Sequence, residues 1–114
     1  MTITRMHSGP RMSQIVIHNH TIYLAGQVGT EGADVTRQTR DCLAEVDRLL
    51  AEAGSDKSKL LQVIVWLADM ADFAEMNAVY DAWIDPANPA VRACGEARLA
   101  TPGYRVEFIV TAAR

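Results

Sequence analysis

The 114 residues, 49% hydrophobic and 22% charged with a formal net charge of -3, predict one soluble domain spanning 1–114 with a single core. The 11 basic residues are scattered, so no stripe is available to neutralise nucleic-acid phosphates, and none is expected as a partner. The longest apolar run, Leu60 to Ala68, is too short to cross a bilayer, and Met1 to His7 lacks a signal-peptide core, so a cytoplasmic protein without membrane contact is expected.

The first elements read as a β-hairpin. Gln14 to Ile17 alternate, Asn19-His20 marks a tight turn, and Thr21 to Val28 resumes with β-branched and aromatic residues. His18 and His20 fit exposed hairpin positions, and neither they nor Cys42 and Cys94 complete a metal-ligand spacing. Gly26 and Gly29 carry no phosphate-binding fingerprint; a bulge or a close approach suits Gly26 better.

From Val35 the period changes to that of a helix. Val35, Thr39, Cys42, Leu43, Val46, Leu49, Leu50 and Ala53 fall on one stripe, with Asp34 as N-cap and Gly54 as stop. Leu60 to Leu67 is a nearly continuous apolar run and predicts a strand covered on both faces. Asp72, with Glu75 as a capping box, begins a second helix that buries Phe73, Met76, Val79, Tyr80 and Trp83 and places Asn77 at its edge. Trp66, Tyr80 and Trp83 read as core. The prolines of Asp85-Pro86-Ala87-Asn88-Pro89 end that helix.

The segment Val91 to Leu99 alternates between an apolar set, Val91, Ala93, Gly95, Ala97 and Leu99, and a second set, Arg92, Cys94, Glu96 and Arg98. Thr101-Pro102-Gly103 reads as a turn returning the chain as a strand from Tyr104 to Ala112. The resulting order, β-β-α-β-α-β-β, predicts an α+β fold with two helices on one face of a mixed sheet. The face carrying Arg92, Cys94, Glu96, Arg98 and Glu107 is expected to bury against another subunit. A hairpin centred on Pro102-Gly103 sets Arg98 opposite Glu107 and separates Arg92 from Glu107 by about 20 Å along the sheet. On that geometry the two share a site only between subunits, or Glu107 is a structural partner of Arg98.

The segments "YLAGQVG", "QTRDCLAEVDRLLAEAGSDKSKL", "VWLADMADFAEMNAVYDAW", "NPAVRACGEARL" and "VEF" together resemble, over nearly the whole chain, the RidA/YjgF family of imine and enamine deaminases. The resemblance implies a chorismate-mutase-like fold, a homotrimer whose three sheets form a central barrel with clefts between subunits, and hydrolysis of reactive 2-imino or 2-enamino acids to 2-keto acids and ammonia without a cofactor. It makes Arg92 the carboxylate-binding arginine, Cys94 the residue whose backbone carbonyl helps hold the attacking water, Glu107 the acid that positions it, and Asn77 a cleft-lining asparagine. It also brings Met12, Ala25 and Gly26 to the pocket. Met12 stands where many members carry a tyrosine, Ala25 where a serine is often found, and Ala90-Val91 replaces the usual proline-alanine.

The chemistry fits these residue types. Hydrolysis of a small imine needs a carboxylate anchor, a positioned water and a proton for the departing nitrogen, and a guanidinium fork matches a carboxylate bidentately. Three alternatives stay open. Arg92 pairs structurally with Glu96; Cys94 is a nucleophile, although no histidine neighbours it in sequence; or the trimer binds small carboxylates or acts as an interaction protein without turnover.

Overall fold

The computed structural model describes residues 2–114. Six strands and two helices follow in the order β1 (Ile3–Met6), β2 (Ile15–His18), β3 (Thr21–Leu24), α1 (Val35–Glu52), β4 (Leu60–Leu67), α2 (Phe73–Trp83), β5 (Val91–Glu96) and β6 (Val106–Ala113), with 3-10 turns at Lys57–Lys59 and Met70–Asp72. The strands form one mixed sheet ordered β1-β2-β3-β6-β4-β5. Every pairing is antiparallel except β4 with β5. The α+β architecture, mixed sheet and two helices are those expected, with β1 as an additional edge strand.

Helix α1 forms as its stripe requires. The Asp34 carboxylate accepts from Arg37 N at 2.8 Å, satisfying one of the first-turn donors. At the other end Gly54 adopts φ +82°, and the Ser55 N–H to Leu50 carbonyl and Gly54 N–H to Ala51 carbonyl bonds close a Schellman motif. The whole stripe from Val35 to Ala53 is buried against the sheet. At the β2–β3 turn Asn19 takes φ +58°, a conformation its short polar side chain tolerates.

Helix α2 departs from expectation at its start. Asp72 occupies the N-cap position but makes no cap bond; its carboxylate takes Nε and Nη2 of Arg105 at 3.0 and 2.8 Å. Asp69 instead caps the preceding 3-10 turn through Ala71 N at 2.8 Å. A bidentate charged pair is stronger than one cap bond to a neutral amide, which decides where the Asp72 carboxylate points. Of the expected stripe only Met76 and Tyr80 are buried, and Phe73 is exposed.

The hairpin expected at Thr101-Pro102-Gly103 is not formed. β4, α2 and β5 make a crossover unit, so β5 runs parallel to β4, while β6 crosses back to lie between β3 and β4. The sheet edge at β5 is thus set by the helix before it and not by the turn after it. Gln38 holds the long connection down: its Nε2 donates to the Gly103 carbonyl at 2.9 Å and its Oε1 accepts from Arg105 N at 2.8 Å.

The core lies between the helices and one face of the sheet, built from Ile15, Ile17, Ile22, Leu24, Val63, Val65, Leu67, Val106, Phe108 and Val110 beneath the α1 stripe. On β4 the burial alternates, so the run expected to be covered on both faces is covered on one. Trp66, read as core from the sequence, is 36% exposed on the other face.

Candidate functional site

Cross-strand partners share a face, so registers sort the polar residues. Val63, fully buried on the helix side, pairs with Arg92, and Val65 and Leu67 pair with Cys94 and Glu96. These three therefore lie on the helix side, with Val91, Ala93 and Gly95 on the open face, the reverse of the face assigned from sequence. Glu107 pairs with Trp66 and is on the open face. Arg92 and Glu107 are not 20 Å apart along a hairpin. They stand on opposite faces, two strands and three residues apart, about 14 Å between backbones.

Arg92 projects from the edge strand along α2. Its Nη1 donates to Asn77 Oδ1 at 2.7 Å. Its Cζ lies 4.8 Å from the Tyr80 ring centroid and 6.0 Å from that of Phe73, within cation–π range. The alternative pairing with Glu96 is not formed, because Glu96 Oε1 accepts from Met70 N at 3.0 Å. Among the described residues no carboxylate forms an ion pair with Arg92. Cys94 is half-buried against the core, and burial raises its thiol pKa while the Arg92 charge lowers it. The net rise argues against a nucleophilic thiolate and leaves the backbone as its useful part.

Glu107 is placed by what is missing from Gly26. A Cβ at position 26 would lie 2.1 Å from Glu107 Oε2, so only glycine leaves room for the carboxylate in its present position. The chain reaches this arrangement through an irregularity: one extra residue on the β3 side separates the Tyr23–Thr111 pair from the Gln27–Phe108 bridge. Gln27 fixes the segment, its Nε2 donating to Gln14 Oε1 and to the Ala25 carbonyl, both at 2.9 Å. Beneath it the Cys42 thiol meets the Gln27 carbonyl at 3.3 Å. Burial, reinforced by the Asp41 and Glu107 charges, pushes that thiol up to about 12. The Glu107–Arg98 pair considered from the sequence is absent among the ion pairs of the described residues.

The expected site residues therefore fall into two groups. Arg92, Asn77 and Cys94 gather at the β5–α2 edge, and Ala25, Gly26 and Glu107 gather at the end of β3. Met12 is exposed in the β1–β2 connection. Three residues read as core or passed over belong beside them. Tyr80 follows Asn77 by three residues and so shares its helix face, a spacing that carried the signal. Trp66 flanks Glu107, and its ring atoms Cζ3 and Cε3 lie 3.1 and 3.6 Å from the position a Gly95 Cβ would take. Gln27 reveals itself only through tertiary contacts.

The geometry has counterparts in known proteins. A family model described as Endoribonuclease L-PSP matches residues 2–114. The chain is 46% identical over 112 residues to a RutC family protein of Haemophilus ducreyi, a match covering 97% of this chain and 96% of the relative. It is 32% identical over 103 residues to a 2-iminobutanoate/2-iminopropanoate deaminase of Capra hircus, covering 84% of this chain and 74% of that protein. A crystal structure of a YjgF-family protein from Neisseria meningitidis superposes with a TM-score of 0.97 at 46% identity, covering 100% of this chain and 96% of the other.

Proposed function

Because the chain belongs to the RidA/YjgF family, whose model carries the description Endoribonuclease L-PSP, we propose that it hydrolyses 2-imino or 2-enamino acids to 2-keto acids and ammonia at a cleft completed by a second copy of itself. The observation that carries the reading is the separation of Arg92 and Glu107 onto opposite faces, each without an ionic partner among the described residues. A β5–α2 edge laid against the open face of the next copy brings the two together. The open face suits such burial, with Tyr23 48%, Trp66 36% and Val91 67% exposed. Three copies arranged in this way, each giving its edge to the next, close into the trimer expected of the family. The cytoplasm and a small imino or keto acid complete the reading, with no cofactor.

In the proposed reaction Arg92 of one copy binds the substrate carboxylate through its Nε–Nη2 edge, which turns one face of the imine carbon toward Glu107 of the next. Glu107 and the Cys94 backbone carbonyl hold a water there. The water oxygen attacks the imine carbon and one of its protons passes through Glu107 to the nitrogen, giving a carbinolamine; the remaining hydroxyl proton then follows the same route to the nitrogen as the carbon–nitrogen bond breaks, releasing ammonia and the keto acid. An enamine first takes a proton at carbon and gives one up from nitrogen to become the imine.

The test couples an amino-acid oxidase, which releases imino acids of varied side chain, to this protein and follows keto-acid formation. Wild type is expected to accelerate it and Arg92→Ala to fall by about 10²-fold or more. Equal rates with wild type, Arg92→Ala and no protein across the panel would overturn the enzyme reading. A second reading, carboxylate binding without turnover, is favoured by Met12 and Ala25, which bring no hydroxyl to the pocket. Stabilisation by a keto acid without ammonia release would select it.

A further inference from the structure

We infer that Tyr80 is the positioning residue for the Arg92 guanidinium, its ring face holding the fork in one plane so that the Nε–Nη2 edge is presented to a carboxylate. The inference rests on the carboxylate-anchoring role proposed above for Arg92, but its structural half stands on this chain alone.

An arginine on an exposed edge strand ordinarily samples many rotamers, and an anchor that must first be ordered binds weakly. Here the side chain is held most closely by Asn77 and Tyr80, the exposed Phe73 ring being farther off at 6.0 Å from Cζ. Asn77 takes Nη1 at 2.7 Å, and the Tyr80 ring lies 4.8 Å from Cζ. The contact with the ring takes none of the guanidinium donors as a conventional hydrogen bond, and Asn77 spends only one side of the fork. Among the described residues no hydrogen bond is made by Nε or Nη2 of Arg92.

Tyr80 is itself immobilised. It is 6% exposed, and its ring stacks on Phe108 at 6.2 Å between centroids with 6° between planes. Phe108 is fully buried and exchanges two backbone hydrogen bonds with Gln27, at 2.8 and 3.0 Å. A column thus runs from the sheet through Phe108 and Tyr80 to the guanidinium. Trp83 lies 5.9 Å from Tyr80 but is tilted by 51°, and its indole N–H is spent on Asp47 at 3.0 Å. The aromatic pair with Trp83 therefore adds packing, and the one with Phe108 adds alignment. Burial raises the Tyr80 phenol and the Arg92 charge lowers it, as expected for a neutral ring facing a cation. The Tyr80 hydroxyl has no hydrogen bond to the described residues, so the ring and not the oxygen performs the task.

The experiment compares Tyr80→Phe, which keeps the π-face, with Tyr80→Leu and Tyr80→Met, which fill the core without it. In the free protein the Arg92 Nε–H resonance, assigned by its loss in Arg92→Lys, is read by NMR for ring-current shift and for rotation about Nε–Cζ. Binding of 2-oxobutanoate, and of its neutral amide, is then measured by calorimetry. Tyr80→Phe is expected to match wild type in both. Tyr80→Leu and Tyr80→Met are expected to lose the ring-current shift and to bind the carboxylate about tenfold more weakly, with the amide unaffected. An Arg92 resonance unmoved in whichever of the two folds overturns the inference, as does an equal loss for acid and amide, which marks a merely structural role. If wild type fails to bind 2-oxobutanoate, the proposed function falls, and the NMR comparison still decides whether Tyr80 orients Arg92.

Discussion

The two faces of the sheet hold their functional charges by opposite means. On the helix side Arg92 is held by contacts, an amide oxygen at 2.7 Å and an aromatic face at 4.8 Å. On the open side Glu107 is accommodated by an absence, the missing side chain of Gly26. A charge held by contacts tolerates few changes around it. One held by a vacancy is disturbed by the smallest addition. The residues governing such a site thus include some with no functional group at all.

Mixing tests the comparison most severely. Arg92→Ala and Glu107→Ala, each inactive, unfolded together and refolded in equal amounts, are expected to regain about a quarter of wild-type keto-acid release, since each intact cleft needs one chain of each kind. No recovery, with mixed assemblies confirmed by mass spectrometry, would show that the two charges do not share a site.

Glycine substitutions sharpen it. Gly29→Ala drives a Cβ to 2.8 Å from the Gln38 Cα and carbonyl oxygen, backbone that cannot yield, and should cost about 1–3 kcal/mol in denaturant unfolding. Gly26→Ala meets only the end of a flexible side chain, so the unfolding free energy should change by less than about 0.5 kcal/mol. Activity should nevertheless fall about tenfold or more as the carboxylate is displaced. A Gly26→Ala variant with full activity would separate Glu107 from catalysis.

Smaller effects concern groups outside the site. Asp72→Ala removes both bonds to Arg105, whose side chain is 46% exposed and regains water, so a loss of about 1 kcal/mol is expected with turnover unchanged. Cys42 is protonated in the fold up to about pH 12 but ionises near 9 when unfolded. Its contribution to stability is therefore complete below about pH 9 and lost as pH rises toward 12. The slope of stability against pH in that window should flatten in Cys42→Ala, measured against the same variant at pH 7.

The sequence was most informative where the signal was local. The α1 stripe, its Asp34 cap and the Gly54 stop concern residues within a turn of one another, and all three appear as read. Strand pairing is not local. Thr101-Pro102-Gly103 has turn chemistry, but the partner of β5 was decided by the α2 crossover and that of β6 by strands from the other half of the chain. Face assignment failed on β5 for a different reason. Val91, Ala93 and Gly95 look like a core set beside Arg92, Cys94 and Glu96, yet at an edge strand an arginine can lay its stem along a helix and keep its charge near water. The candidate site residues were named through resemblance; their division between two faces required the register of β4.

The position of β6 bears on how the protein is made. A ribosome that has released everything through Gly103 has produced five of the six strands, but as two unconnected groups, β1-β2-β3 and β4-β5. Only the last strand joins them, by pairing with β3 on one side and β4 on the other. Until then the hydrogen-bonding edges and apolar surfaces of both groups lie open to other nascent chains. Closure of this sheet is thus deferred until β6 has been made, and a message cut short before Val106 encodes two separate groups of strands with no strand to join them.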